Sequence, residues 1–540
     1  MSTFWRIAQK ANVSSWWPVL HTHYPNLSSW GLGLLLAAAF PPLSIPGLQI
    51  VAWLGLWHIA KERKPFWRLY QALLGWNLFT TYWLCLTALS APNLSEALIS
   101  FLAGALTILV NPLLMLLPFA LWRRLCLKKN LPHAPYLFIP LWIAFEYFHF
   151  RWELSWGWLT LGLSWSEWPF IGHLSGLWGP LGLSAWTLIA AAWLTTQGYS
   201  PLTRALVFVF WTLGLPAIAQ LYQPFRPHTA KPVYLIQPNI DPYAKFNEFP
   251  PDSQLKVLLR YIPDTLPPGS LLIGPETALP VAVSIDDWRN DPWLQPFSQK
   301  AKRLQANILL GIVGYKLFPP DKAPPDATPL PNGYAYQSYN AAILIRPDTA
   351  FVHIKSRLVP FVERTPYLEY LDFLRGWEID LGGGFGSFGK PLSPPAPLSL
   401  YPDSTLITVG VCYESIFTHD LRTRKGHLIA ILTNDGWWKK SSGYYQHFSY
   451  GRLSAQSLGL SMARSANTGI SAFILPDGNV EHYLPYDTAG RLFATVPVGK
   501  SQTLFAIYGN WGAFGLCTFV LLLWILWWFR IKRSKDSSEK

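Results

Sequence analysis

The stretch TLITVGVCYES (405–415) is an apolar run that hands a thiol, Cys412, directly to an acidic residue, Glu414. A Val- and Ile-rich run without polar alternation reads as a strand covered on both faces, which places it in a layered α/β fold. It has companions on either side: VYLIQ (233–237), LLIG (271–274), ILLGIV (308–313), AAILIR (341–346), LIAILT (428–433) and SAFILP (471–476). Helical spacing lies between some of them, in SQKAKRLQA (298–306) and SYGRLSAQSLGLSMARSA (449–466). Two Pro/Gly-rich loops, 319–333 and 382–397, interrupt the pattern. Residues 230–503 therefore read as one α/β domain.

The flanks read as membrane. The chain has 540 residues, 51% of them hydrophobic and only 14% charged, against about a quarter charged in soluble domains. Residues 28–222 contain about seven apolar spans, at 28–42, 45–60, 67–90, 94–122, 135–150, 170–195 and 203–222. The first two and the fifth are short against the ~20 residues a crossing helix needs. A further helix, 505–529, contains the uncharged span 511–529 and precedes a basic tail, 530–540; residues 1–27 form the N-terminal segment. The formal charge of +13 is concentrated at span ends, in KERKPFWR (61–68), RRLCLKK (123–129) and RIKRSK (530–535). That distribution puts these loops and both termini in the cytoplasm and 223–505 outside. It also argues against nucleic-acid binding, because no basic patch is interleaved with exposed aromatics. AAAF (37–40) resembles a leader cleavage site, but PPLSIPG follows and no compact basic segment precedes it. The 29 tryptophans are expected at membrane interfaces and lipid-contacting surfaces.

Four cysteines stand apart, with no CxxC pair, and the twelve histidines form no HExxH, so no metal, disulfide framework or cofactor is expected. A free cysteine is ordinarily a small buried hydrophobe. Cys412 departs from that pattern by standing where an apolar run ends. Glu276 ends LLIGPE and Lys355 ends AFVHIK in the same way; alone, the first reads as a turn acid and the second as a solvated cation. Together the three are the parts of an acyl-transfer site. The carboxylate takes the thiol proton, the ammonium faces the oxyanion that forms, and the sulfur carries the acyl group. GFGSFGK (384–390) has phosphate-loop spacing, but Pro391 replaces the Ser or Thr and no strand precedes it, so it reads as a loop.

GPETALP (274–280), the stretch from Lys355 to Glu363, and VCYES (411–415) resemble the Glu–Lys–Cys triad of the nitrilase (carbon–nitrogen hydrolase) superfamily. With the surrounding spans they resemble its membrane branch, the apolipoprotein N-acyltransferase family. QPNI (237–240), YNAAILI (339–345), NDGWW (434–438), QHF (446–448) and RSANTGIS (464–471) extend the likeness over almost the whole chain. The resemblance implies an extracytoplasmic αββα sandwich between a helix bundle and one C-terminal helix. It implies Glu276 as general base, Lys355 as transition-state stabiliser and Cys412 as nucleophile. Glu363, Tyr413 and Glu414 would support them, with Phe246, Asn340 and Trp437 as substrate-binding candidates. It further implies a monomer in the bacterial inner membrane, with its catalytic domain periplasmic. That enzyme would move an acyl chain from phospholipid, through a Cys412 thioester, to the amino group of a lipid-modified apolipoprotein cysteine, without a cofactor. The chain departs from the family pattern at Gly274, Phe246, Val362, Arg364 and Thr365. Segments 241–250 and 361–378 are expected to be mobile arms whose Phe246, Phe249, Tyr367, Tyr370 and Trp377 touch lipid.

Two alternatives share parts of this reading. A membrane-tethered amidase would use the same triad and open the thioester with water. A non-catalytic scaffold or transporter would make Glu146 and Glu153 notable, but both are expected at the outer interface, where neither marks a transport path.

Overall fold

The computed structural model describes residues 25–90, 93–129, 131, 133–222, 225–368, 370 and 387–538. Trp377, most of segment 361–378 beyond 368, the first half of GFGSFGK and nearly all of 1–27 lie outside them. Apolar helices occupy the N-terminal part: α1 (Pro25–Ala38), α2 (Leu48–Ala60), α3 (Phe66–Thr81), α4 (Leu94–Trp122), α5 (Ala134–His149), α6 (Ser175–Leu194) and α7 (Pro201–Val209). Among the described residues, five helical stretches are long and apolar enough to cross a membrane: Phe66–Leu89, Leu94–Leu127, Ser175–Leu194, Pro201–Ala219 and Trp511–Phe529. α1, α2 and α5 are shorter. α4 begins at Asn93, whose side chain accepts from the Glu96 amide. It exposes Leu98, Leu102, Leu106, Leu109, Leu113 and Leu117 along one side. A stripe of this length at i, i+3 or i+4 spacing has its natural solvent in lipid.

The tryptophans correct one expectation in part, since Trp67, Trp511 and Trp528 are exposed but many others are not. Trp53, Trp57, Trp76, Trp83, Trp122, Trp142, Trp158 and Trp186 are fully buried. Trp53 alone packs against Trp142 (ring centroids 4.7 Å), Phe138 (5.5 Å) and Phe119 (5.9 Å). Large rigid rings fill the space between short helices, with many dispersion contacts per residue. Glu146 is a second correction, because it is buried inside the bundle and accepts from Trp142 Nε1 (2.9 Å) and the Leu161 amide (2.8 Å).

Among the described residues, the second part contains fourteen strands in two sheets. The first sheet contains β1 (Arg226–Gln237), β2 (Leu271–Ile273), β3 (Ala282–Ser284), β4 (Asn307–Phe318), β5 (Thr328–Pro329), β6 (Ala335–Ile345), β7 (Ala350–Ile354) and, from the end of the domain, β14 (Gly490–Lys500). The second runs β13 (Val480–Leu484), β12 (Ser471–Ile474), β11 (Met462–Ala466), β10 (Leu428–Thr433), β9 (Leu406–Val411), β8 (Leu398–Ser399). Leu235, Ile273, Leu309 and Leu344 from one sheet meet Val409, Val411, Leu432 and Phe473 from the other in a shared core. Helices α8 (Pro251–Tyr261) and α9 (Gln295–Leu304) cover the outer face of the first sheet. Helix α10 (Ser442–Leu458) covers the second, completing an αββα sandwich. The chain ends in α11 (Trp511–Ser538).

The run 449–466, read as one helix, divides. α10 stops at Leu458, with Gly459 in left-handed conformation (φ 55°), and Met462–Ala466 continues as β11 beside β10. Gly459 is the capping residue that ends the helix, and the parallel partner β10 draws MARSA into the sheet.

Buried polar contacts join sandwich and bundle. Gln446 on α10 accepts from Trp83 Nε1 (3.0 Å) and Trp158 Nε1 (2.7 Å) and donates to the Pro41 and Thr80 carbonyls (2.9 Å each). Tyr413 donates to the Ser155 carbonyl at 2.7 Å. Glu153 accepts from the Tyr367 amide and from Lys390.

Candidate active site

β2 ends at Ile273, and the chain turns so that Glu276 stands at the strand end, where open α/β sheets place their sites. The turn is held by Gly311 on β4: its amide donates to the Pro275 carbonyl (3.0 Å), and its carbonyl accepts from the Ala278 amide (2.7 Å). A β-carbon on Gly311 would lie 2.5 Å from Glu276 Cα, so only glycine permits this approach. Lys355 follows β7 directly, and its amide donates to the Asn340 carbonyl on β6 at 2.9 Å. Cys412 follows β9 and opens a short 3₁₀ turn. The sheets thus deliver all three residues from strand ends.

The charged groups meet. Lys355 Nζ donates to Glu276 Oε1 (3.2 Å) and Glu363 Oε1 (2.6 Å) and is fully buried. Asn340 Nδ2 donates to the same two oxygens, at 2.9 and 2.7 Å. Asn340 therefore holds the two carboxylates together, a different contact from the substrate one expected of it. Glu363 Oε2 accepts from the Val359 amide at 2.7 Å, which fixes the loop carrying it. Burial alone would lower the Lys355 ammonium, but Glu276 and then Glu363 outweigh it and raise its pKa, so it remains a cation. Burial, followed by the Glu276 charge, pushes the Cys412 thiol up, against opposition from Lys355. The sulfur therefore rests protonated and needs a base to attack.

Cys412 is held in left-handed backbone (φ 48°), as are Thr277 (φ 42°) and Phe361 (φ 62°) nearby. For residues with a β-carbon this costs about 1–3 kcal/mol each and persists only where the surroundings impose it. Glu414 supplies part of that constraint. Its carboxylate accepts from the amides of Val411 (2.9 Å) and Ser356 (2.9 Å), tying the residue before the thiol to the residue after Lys355. Arg424 pairs with it at 2.5 Å, and His353 Nε2 lies 2.9 Å from its second oxygen. Burial opposes the Glu414 charge, but Arg424 and then His353 hold its carboxyl well below the usual range.

A second buried cluster lies beneath the nucleophile. His447 Nε2 lies 3.1 Å from the Cys412 carbonyl and 2.7 Å from Ser415 Oγ, while Nδ1 lies 2.8 Å from Asp435 Oδ1. Arg464 donates to Asp435 Oδ2 at 2.8 Å, and Thr433 Oγ1 donates to Oδ1 at 2.9 Å. His447, Asp435 and Arg464 stand in QHF, NDGWW and RSANTGIS, stretches noted in the sequence without a role for these three. Lys245 was likewise unassigned. It is buried one residue before Phe246 and donates to the Thr277 carbonyl beside Glu276. Burial first, partly offset by Glu276, brings its ammonium down to about 7.

Segment 241–250 reaches the edge of this site. Trp437 is half-buried, with the Tyr243 ring at 5.0 Å edge-on and the Tyr243 hydroxyl donating to its carbonyl at 3.3 Å. Phe246 is half-buried, whereas Phe249 and Tyr370 are exposed.

Residues 32–193 match the family model "Apolipoprotein N-acyltransferase N-terminal domain", and residues 262–504 match "Carbon-nitrogen hydrolase". The chain belongs to the apolipoprotein N-acyltransferase family. It is similar to the apolipoprotein N-acyltransferase of Chlorobaculum tepidum, at 27% identity over 504 residues (88% of this chain, 89% of that one). Similarity to that of Ralstonia nicotianae is 27% over 519 residues, 91% of each. Among solved structures, a nitrilase-superfamily amidase of Nesterenkonia AN1 aligns at 14% identity and a TM-score of 0.34, covering 51% of this chain and 93% of that one. This member of the N-acyltransferase family is therefore a membrane enzyme that transfers acyl groups in lipoprotein N-acylation.

Two departures from the family pattern have visible surroundings here. A side chain at Gly274 would meet Leu310, 2.7 Å from its β-carbon position. Arg364 pairs with Asp326 at 2.5 Å, fastening the Glu363 loop to the loop at 319–333.

Proposed function

We propose that this acyltransferase takes an acyl chain from a phospholipid onto Cys412 and passes it to the amino group of an apolipoprotein's lipid-modified N-terminal cysteine. Glu276 removes the thiol proton as sulfur attacks the ester carbonyl. The oxyanion forms beside the Lys355 ammonium and the backbone amides that follow Cys412. Collapse breaks the ester C–O bond, and Glu276 returns the proton to the departing lysophospholipid alkoxide. The acceptor amine then attacks the thioester and gives a proton to Glu276. The C–S bond breaks, and the proton goes back to sulfur, leaving an amide and a free thiol. No ATP or other activating cofactor enters, because the net exchange of an ester for the more stable amide runs downhill, with the thioester as the reactive intermediate between them. Glu363 and Asn340 hold Glu276 and Lys355 in register, and Glu414 holds Cys412 against Lys355.

The observation that carries this reading is the buried Glu276–Lys355–Glu363 cluster charge-coupled to Cys412, within a domain docked onto a bundle of apolar helices. Placement in the bacterial inner membrane with a periplasmic site has its own support. Arg123 donates to the carbonyls of Ala60 and Arg63, so the basic loops at 61–68 and 123–129 lie together at one end of the bundle. Pro41, Thr80, Ser155 and Glu153 meet the sandwich at the other. Basic loops remain cytoplasmic.

The test is acceptor choice. Purified enzyme with labelled phospholipid and a diacylglyceryl-cysteine peptide should form labelled amide in excess over free fatty acid. Label appearing only as free fatty acid, at a rate indifferent to the peptide, would instead identify a hydrolase.

A further inference from the structure

Away from the catalytic strand ends, an open groove of about 500 Å³ is lined by Arg226, His228, His427, Lys500 and Gln502. Arg226 and Lys500 are direct cross-strand partners of β1 and β14. The imidazoles of His228 and His427 stand edge-to-face, 5.5 Å apart. Among the described residues no carboxylate lines the groove. Like charges placed directly opposite across a ladder are destabilising, so four cation-capable side chains converging here leave an electrostatic cost that an anion would relieve. Partial burial, then His228 and Lys500, already hold the His427 imidazole below its ordinary pKa.

The groove lies beside both passages of the chain between sandwich and apolar helices. Arg226 follows the end of the apolar stretch Pro201–Ala219 by seven residues, and Gln502 precedes α11 by nine. The Tyr222 hydroxyl donates to the Gln502 carbonyl, and Arg422 donates to the carbonyls of Ala506 and Ile507. The rim is thus bonded to both chain crossings into the apolar helices. The groove is also distinct from the site at Cys412. His427 precedes β10, whose Leu428 pairs with Ile407, five residues before the thiol; at ~3.4 Å per residue that is about 17 Å of strand.

We infer that this groove is a second lipid site, one that holds the phosphate of an anionic phospholipid headgroup at the seam between sandwich and membrane helices. Phosphate oxygens accept from Arg and Lys donors, and a lipid at this seam has its phosphate at headgroup level. The acyl donor of the catalytic reaction plays no part in the inference, so its test reads lipid binding rather than turnover.

Full-length enzyme in phosphatidylcholine nanodiscs is titrated with labelled phosphatidylglycerol, for wild type, R226Q/K500Q and the charge-keeping R226K/K500R. Each cation near a membrane surface contributes about fivefold in anionic-lipid affinity, roughly thirtyfold for the pair. R226Q/K500Q should lose that much phosphatidylglycerol affinity, R226K/K500R should keep most of it, and phosphatidylcholine retention and acyl transfer should not change. Wild-type phosphatidylglycerol affinity in R226Q/K500Q would overturn the proposal. Soluble glycerol phosphate binding as tightly as the lipid would overturn the lipid assignment, because the groove would then serve a free anion.

Discussion

Replacing Lys355 by Met leaves a side chain of similar length and no charge between two buried carboxylates. At an effective dielectric constant of ~20, contacts of 3.2 Å to Glu276 and 2.6 Å to Glu363 correspond to about 5 and 6 kcal/mol of attraction. Most of that is offset in the wild type by desolvation of the three ions. The net loss when one member of a buried ionic cluster is removed is about 3–5 kcal/mol, an apparent Tm decrease of roughly 6–20 °C. The stranded pair, still bridged by the Asn340 amide, relieves its repulsion by taking up a proton. A carboxyl whose folded pKa is raised contributes stability below its unfolded value of about 4.3 and loses it as pH rises. The penalty in K355M should therefore be smallest near pH 4 and grow toward pH 8. Adding Glu363→Gln removes the second charge and should recover at least ~2 kcal/mol of stability. It should not recover activity, which falls by roughly 10²–10³ with the oxyanion's cation gone. The assay is a thermal-shift series across pH with single-turnover acylation on the same samples. An unchanged K355M melting temperature at pH 8, or no recovery in K355M/E363Q, would refute the electrostatic account.

Gly311→Ala should lower acyl transfer by about 10² or more at near-normal expression, because the new methyl displaces Glu276 at Cα; wild-type single-turnover rates would show that the turn adapts. Gln446→Leu strands two indole N–H groups and two carbonyls at about 1–3 kcal/mol each. It should loosen the sandwich from the bundle, read as faster proteolysis in the stretches joining them. Asp435→Asn removes a carboxylate whose pKa burial would raise but which Arg464 and then His447 hold below its ordinary value. That stability is present above the unfolded value of about 3.9 and lost as pH falls through the lower folded one. D435N should thus melt well below wild type at neutral pH, the two curves converging under about pH 4.

Much of the sandwich was legible because its central strands are apolar on both sides, as in LLIG, ILLGIV and LITVGV, and such runs stand out against any background. β14 escaped notice because its outer face is exposed and Arg491, Thr495 and Pro497 interrupt its apolar residues. MARSA was absorbed into the preceding helix because Arg464, normally a surface residue, is fully buried here against Asp435. Glu276, Lys355 and Cys412 could be singled out because each ends a strand. The resemblance also reached Glu363 and Glu414, but His447, Asp435 and Lys245 were not legible, since they act through contacts between segments distant in sequence. The burial of tryptophans was equally hidden: an indole suits a membrane interface or a tightly packed bundle, and only the packing of short helices decides between them.

The central claim is that Cys412 carries the acyl group. Incubating detergent-solubilised enzyme with acyl-labelled phospholipid and no acceptor tests it directly. Label on the protein that hydroxylamine releases, and that Cys412→Ala or Glu276→Gln abolishes, is the predicted result. Folded wild-type protein that takes up no label from several phospholipids, or label that persists in Cys412→Ala, would contradict it.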